Sequence, residues 1–367
     1  MRRLEIVQLG LGHVGRAVAQ IVLEERKSWL ERHGIEVRYR AVSDTSGALV
    51  GEELLPQALR LKEEGGRLAE LGVEPLEGVL GSEPEPGFTR IIVDVAVHGG
   101  TFDLDLLGIR GGAYLVLSNK GPLSGSTAQY RQLMRMIPDR LWHEATVGAG
   151  MPIISTIGGL LETGDEILEI QASPSGTLGF VLSAVEGGRS FSEAVRDAVD
   201  LHYAEPDPRD DLSGLDVARK AIILARMMGR EIEPHEIPYE SLVPEGLEDV
   251  PLTEFMERLP EHDEGFAARL LAVEEHHMLR YLVCIPKHGP VTVGLQDTPV
   301  ESPFGPISGP ENVFDFRTRR YSDVPSPCAG RARARNARLA AWYGTCWILR
   351  IEHYRCQASG SSSRRFL

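Results

Sequence analysis

The apolar run Leu4–Leu9 leads straight into Gly10-Leu-Gly12-His13-Val14-Gly15 and then a helical pattern reaching about Arg32. This strand, glycine turn and helix constrain the fold more than any other feature of the chain. A G-x-G-x-x-G pattern is weak in isolation, but between a strand and a helix it reads as a dinucleotide-binding turn. The glycines let backbone approach a pyrophosphate seated at the helix N-terminus. The alternation then continues: a strand at Val37–Ser43, a helix through Leu54–Leu71, and strands at Ile91–Val97 and Tyr114–Ser118. Strands and helices in strict alternation imply a Rossmann-type, doubly wound parallel sheet with right-handed crossovers. Asp44 closes the second strand, where an acid can bind a ribose 2′-hydroxyl or simply serve as a turn residue in Ser-Asp-Thr-Ser-Gly. An acid there leans towards NAD, and Arg38 and Arg40 just upstream leave NADP open.

From about residue 143 the pattern changes. Strand-like Glu166–Ala172, helical patterns near Phe191–Leu201 and Gly214–Met228, and strand-like Tyr281–Ile285 no longer alternate strictly. These features predict a second, α+β domain, with a Pro- and acid-rich exposed linkage over 233–264. A chain of 367 residues is long enough for two domains. No apolar run approaches the roughly 20 residues needed to span a bilayer, and the N-terminus enters a strand without a signal-peptide pattern. The formal charge of −14 argues against nucleic acid or an anionic membrane as partners. Only Cys284 precedes residue 326, so the expected setting is a reducing cytoplasm. No Cys or His pair has zinc-ligand spacing, and adjacent His276 and His277 read as solvent-facing.

The segment His202–Lys220, HYAEPDPRDDLSGLDVARK, places Glu205, Asp207, Asp210, Asp211 and Asp216 around proline and glycine breaks and then enters a helix. Pro206 and Pro208 forbid helix before that point. Asp216 and Lys220 are four apart and share one helical face. The segment is either a polar substrate clamp with a proton-moving lysine, or a solvated acidic loop carrying an ordinary ion pair. Lysine is scarce: residues 27, 62, 120, 220 and 287 are the only five, against 34 Arg. Where Arg serves for solubility, the remaining lysines are candidates for releasing a proton, which Arg cannot do. Lys120 and Lys220 both stand in glycine- and polar-rich motifs.

Five stretches in one order, GLGHVG at the start, LSNKGPL at 117–123, HEATVGAGMPIIS at 143–155, SGTLGFVLS at 175–183 and EPDPRDDLSGLDVARKAIILAR at 205–226, resemble the homoserine dehydrogenase family over roughly residues 4–325. The resemblance implies the reversible NAD(P)H-dependent reduction of L-aspartate 4-semialdehyde to L-homoserine, on the route to threonine, methionine and isoleucine. It implies Lys220 as the principal acid/base lysine, Lys120 as a second active-site lysine, Asp211 as a catalytic-site acid, and Glu205 and Asp216 as binders of the substrate's polar end. The coenzyme would meet Gly10, Gly12, His13, Val14, Gly15, Asp44, Asn119 and Lys120. A monovalent cation, typically sodium, would be held by Glu144, Val147, Ala149 and Met151, largely through backbone carbonyls. The resemblance also implies a homodimer assembled through the second domain, in a short form without a kinase segment or an appended regulatory domain.

Two departures stand out. Val93-Asp94-Val95-Ala96 follows the family's strand end but has Ala where a hydroxyl residue is usual. From Ser326 onward the chain carries three of its four Cys and eight Arg against one Glu, in place of the family's GPGAG turn and closing helix. Reading a GC-rich back-translation two nucleotides later can restore GPGAG and an amphipathic helix, so 326–367 is expected to be a frameshifted, poorly folded tail. The expected division is 1–142 plus about 306–325 for the nucleotide domain and 143–305 for the catalytic and dimerisation domain. The alternatives are a catalytically impaired NAD(P)-binding homologue and a reductase of a related small amino-acid aldehyde.

Overall fold

The computed structural model describes residues 2–97, 99–136 and 140–322, and the backbone of 326–331. The described chain divides into two compact units: Met1–Pro122 with Ala128–Thr146, and Leu123–Thr127 with the stretch that begins at Val147. The change of unit falls four residues later than the sequence suggests, and a five-residue excursion, Leu123–Thr127, belongs to the second unit.

The first unit is built on a six-stranded sheet of order β3-β2-β1-β4-β5-β6. Its strands are β1 (Arg2–Leu9), β2 (Ile35–Asp44), β3 (Gly47–Val50), β4 (Phe88–Asp94), β5 (Tyr114–Leu117) and β6 (Leu141–Trp142). β1 pairs in parallel with β2 on one side and β4 on the other, and β4, β5 and β6 continue in parallel. Six of the eight residues of β1 are buried, the run expected of a strand covered on both faces. Strand order reverses between β1 and β4, which makes the carboxyl ends of these strands the topological switch point where open α/β sheets bind ligands. The His13–His33 helix follows the glycine turn and ends at Gly34 in the left-handed region.

One expectation for this unit needs correction. A continuous helix over Leu54–Leu71 does not form. β3 first turns back antiparallel on β2, the helix spans only Leu55–Glu63, and a 3-10 turn, Leu68–Leu71, follows. The break falls at Gly65, whose φ of 82° ends the helix.

The second unit carries an antiparallel sheet of order β11-β10-β7-β8-β9, with β7 (Ile167–Ser173), β8 (His277–Pro286), β9 (Thr292–Pro299), β10 (Glu311–Thr318) and β11 (Ser326–Arg331). The helix Leu215–Met227 lies against β8 and β9; it buries Val217 and Ala218 in its first half and all of 221–226 in its second, as expected of a helix enclosed on all sides there. β10 pairs with β7 and fully buries Phe314 and Phe316. Residues around 306–322 thus belong to this unit and not to the nucleotide unit as expected, because their apolar residues complete the second core. The stretch 233–264 is likewise more than exposed linkage: Ile237, Leu242, Leu247, Phe255 and Leu259 are buried. The first six residues of the tail, Ser326–Arg331, pair with β10 as β11; the rest of 326–367 lies outside the described residues.

Candidate active site

In the first unit the glycine turn is shaped by close approach. A Cβ on Gly15 would stand 2.2 Å from the Gly10 carbonyl oxygen, and one on Gly10, at φ +95°, would stand 2.9 Å from the Ala96 nitrogen. Gly12 differs: nothing lies within 4 Å of the place its Cβ would take. Gly12 caps the His13–His33 helix without a side-chain hydrogen bond, so the first helical N–H groups have no side-chain acceptor there. A tight turn with one open glycine at an uncapped helix N-terminus fits a coenzyme pyrophosphate. His13 is exposed and Val14 half-buried in the first helical turn.

Sequence reading missed the residue that fixes this loop. The fully buried Gln8 donates from Nε2 to the carbonyls of Gly10 (2.8 Å) and Gly15 (2.9 Å), and its Oε1 accepts from the Tyr39 hydroxyl. A polar residue inside the apolar run of β1 was the available signal.

Asp44 is committed within the protein. Its Oδ1 accepts from Ser46 N and Oγ, and its Oδ2 from Lys62 Nζ (2.9 Å) and Leu68 N. Partial burial opposes ionisation, but these bonds outweigh it and hold the carboxyl down at about 2. The geometry favours the turn role over the ribose role. Arg38 pairs with Glu5 and Glu85 and stacks on Phe88.

Asn119 and Lys120 follow β5. Asn119 donates from Nδ2 to Asp94 Oδ2 (2.9 Å) and accepts from Gly121 N. Thr101 Oγ1 also donates to Asp94 Oδ2, at 2.7 Å.

The second unit gathers Asp211, Asp216 and Lys220 around the SGTLGF stretch. Lys220 Nζ donates to the Pro174 carbonyl (2.7 Å) and pairs with Asp216 (2.8 Å). Gly214, at φ +74°, starts this helix where a Cβ would stand 2.1 Å from the Tyr281 hydroxyl oxygen, so only glycine fits. Asp211 accepts from Thr177 Oγ1 and from the backbone N–H of Glu205. Burial pushes the Asp211 carboxyl up to about 6 despite those two bonds, and the Glu205 and Asp216 charges add to the rise. The Glu205 side chain is exposed. Thr177 stood in the quoted SGTLGFVLS stretch without a role, and Pro174, one residue before that stretch, was missed.

Of the four residues expected at a cation, Glu144 is buried in the first unit, and Val147, Ala149 and Met151 belong to the second. Ala149 adopts φ 52°. Among the described residues no cluster of three or more His, Cys, Asp or Glu could hold a metal ion, so a cation here would rest chiefly on backbone carbonyls. No described helix is long and apolar enough to cross a membrane.

A dinucleotide-type parallel sheet with a second unit presenting a lysine among carboxylates defines the class: a two-unit nucleotide-binding α/β protein. The family model for homoserine dehydrogenase matches residues 152–337. The homoserine dehydrogenase of Paracoccidioides brasiliensis is 36% identical over 250 residues, 64% of this chain and 67% of that protein. The chloroplastic bifunctional aspartokinase/homoserine dehydrogenase 1 of Zea mays is 36% identical over 361 residues, 94% of this chain but 38% of that protein. The chain therefore spans well under half the length of such bifunctional relatives. A hyperthermophilic archaeal homoserine dehydrogenase solved with NADPH shares the fold, with a TM-score of 0.71 at 24% identity, over 96% of this chain and 98% of that one. The chain belongs to the homoserine dehydrogenase family.

Proposed function

We propose that this protein interconverts L-aspartate 4-semialdehyde and L-homoserine with NAD(P)H, and the observation that carries the reading is the Lys220 ammonium held between Pro174 and Asp216. A lysine ammonium has three donors. Two are used by the Pro174 carbonyl and Asp216, which fixes the direction of the third. Bound NAD(P)H supplies the hydride to the aldehyde carbon. Lys220 Nζ gives its third proton to the aldehyde oxygen as that hydride arrives, and in the reverse direction takes the hydroxyl proton of homoserine. Asp216 and Glu205 receive the substrate's ammonium, and Asp211, tied to Thr177 and to the Glu205 backbone, fixes the approach of Glu205. Lys120 serves as the second lysine, beside Asn119 at the coenzyme.

The same proposal includes a monovalent cation at the Glu144–Met151 turn, a homodimer assembled through the second unit, and a cytoplasmic setting. The family resemblance supports the cation and the homodimer, and the single Cys before residue 326 supports the cytoplasmic setting. The test is the homoserine-dependent formation of NADH and NADPH by the chain. Turnover that disappears in Lys220→Arg supports the reading; no homoserine-dependent rate with either coenzyme overturns it.

A further inference from the structure

The helix Phe102–Arg110 presses closely on β4. A Cβ on Gly108 would stand 2.1 Å from Ile92 Cδ1, and Asp105, three residues earlier, lies on the same helical face. Asp105 is fully buried, and neither of its oxygens has a hydrogen-bond donor among the described residues. Its partner is another acid, Asp94, at the end of β4 and also fully buried. Two carboxylates cannot both remain ionised in such a place, and one proton shared between them resolves the conflict.

The rest of the geometry says which one keeps the proton. Asp94 already accepts from Ala96 N (2.9 Å), Thr101 Oγ1 (2.7 Å) and Asn119 Nδ2 (2.9 Å), donors that favour the anion. Asp105 has none. Burial and the Asp94 charge both push the Asp105 carboxyl well above the usual range, and Asp94 is the titratable group that acts on it among the described residues. The neighbouring charged residues of its own helix, Asp103 and Arg110, are exposed.

We propose that Asp105 is a positioning residue for the coenzyme turn: it keeps a proton, donates it in a hydrogen bond to Asp94, and so lets one ionised carboxylate gather Ala96, Thr101 and Asn119. Ala96 forms the wall against Gly10, and Asn119 precedes Lys120. The acid pair therefore locks both loops at the carboxyl ends of β4 and β5. This role rests on the coenzyme reading of the glycine turn.

The test compares wild type, Asp105→Asn and Asp105→Leu by melting of the coenzyme-free chain and by direct NADPH and NADH binding across pH. An Asn amide can donate to Asp94 but cannot titrate. Asp105→Asn should bind coenzyme like wild type near neutrality, whereas Asp105→Leu, lacking the donor, should bind about tenfold more weakly. A raised folded-state carboxyl loses stability as pH rises towards its folded pKa. The melting temperature of wild type should therefore fall relative to Asp105→Asn as pH rises above the ordinary carboxylate value of about 4. Parallel melting curves, or an Asn variant that binds as poorly as the Leu variant, overturn the proposal. A wild-type chain that binds neither coenzyme, with the melting difference intact, refutes the coenzyme reading and the positioning role with it but leaves the shared proton standing.

Discussion

In the first unit the ligand cradle is made of what is missing, while in the second it is made of charged side chains. Gly10 and Gly15 exist so that backbone can approach backbone, and Gly12 leaves open space at a helix N-terminus. Around Lys220 charged groups are instead held by side chains and by other elements: Asp216 on the same helix, Pro174 from the end of β7, and, at Asp211, Thr177 from the next helix and the Glu205 backbone from the loop between. A backbone cradle tolerates almost no added atom but does not depend on ionisation. A charged cluster tolerates small shape changes but depends on pH and on its hydrogen bonds.

The sharpest test of that contrast is Lys220→Arg, which keeps the charge and removes the transferable proton. Turnover should fall by roughly 10²- to 10⁴-fold with little change in KM for homoserine, read from steady-state rates. A large rise in KM with turnover retained would mean that the lysine binds and does not transfer. Next comes a pair of glycine changes. Gly15→Ala forces a contact of 2.2 Å and should cost on the order of 1–3 kcal/mol of stability together with coenzyme binding. Gly12→Ala meets nothing and should leave the melting temperature unchanged while weakening coenzyme. Equal effects of the two on melting would break the distinction between packing glycine and ligand glycine.

A smaller effect probes the pH sensitivity of the second unit. The Asp211 carboxyl sits near 6 in the folded chain and near its ordinary value when unfolded. A raised carboxyl contributes stability that is full below the unfolded value and is lost as pH rises through the folded one. Wild type should therefore lose on the order of 3 kcal/mol relative to Asp211→Asn between about pH 4 and pH 6, measured by denaturant titration. Curves that run parallel would deny that burial raises this group. The smallest effect belongs to the β2–β3 turn. Asp44 is held low by Ser46, Lys62 and Leu68, so its stabilisation is present above its unfolded value and lost as pH falls towards about 2. Asp44→Asn should lower the melting temperature slightly at neutral pH and converge with wild type in acid. It should leave the ratio of NADH to NADPH efficiency close to that of wild type, and a large swing in that ratio would restore Asp44 to the ribose.

The regions differ in how far the sequence revealed them. β1, the glycine turn and the His13–His33 helix were readable because their signal is local: an apolar run, fixed glycine spacing and a helical period. The pairing of Asp216 with Lys220 was readable for the same reason, four residues on one helix. Gln8, Thr177 and the Asp94–Asp105 pair were not, since their partners lie up to dozens of residues away and no short pattern links them. The helix expected over Leu54–Leu71 failed because its apolar spacing was helical while Gly65 was free to end it, and β10 was assigned to the wrong unit because its apolar residues carry no label for the core they join.

The sequence by itself determined the two kinds of unit, the glycine turn, the lysine candidates and the family, because these depend on spacing along one element. Only the tertiary structure decided which acids are already committed and which proton is shared. It also decided where residues 306–322 pack. A carboxylate's state is set by the donors and the burial that folding brings to it, and those come from strands and helices distant in the chain.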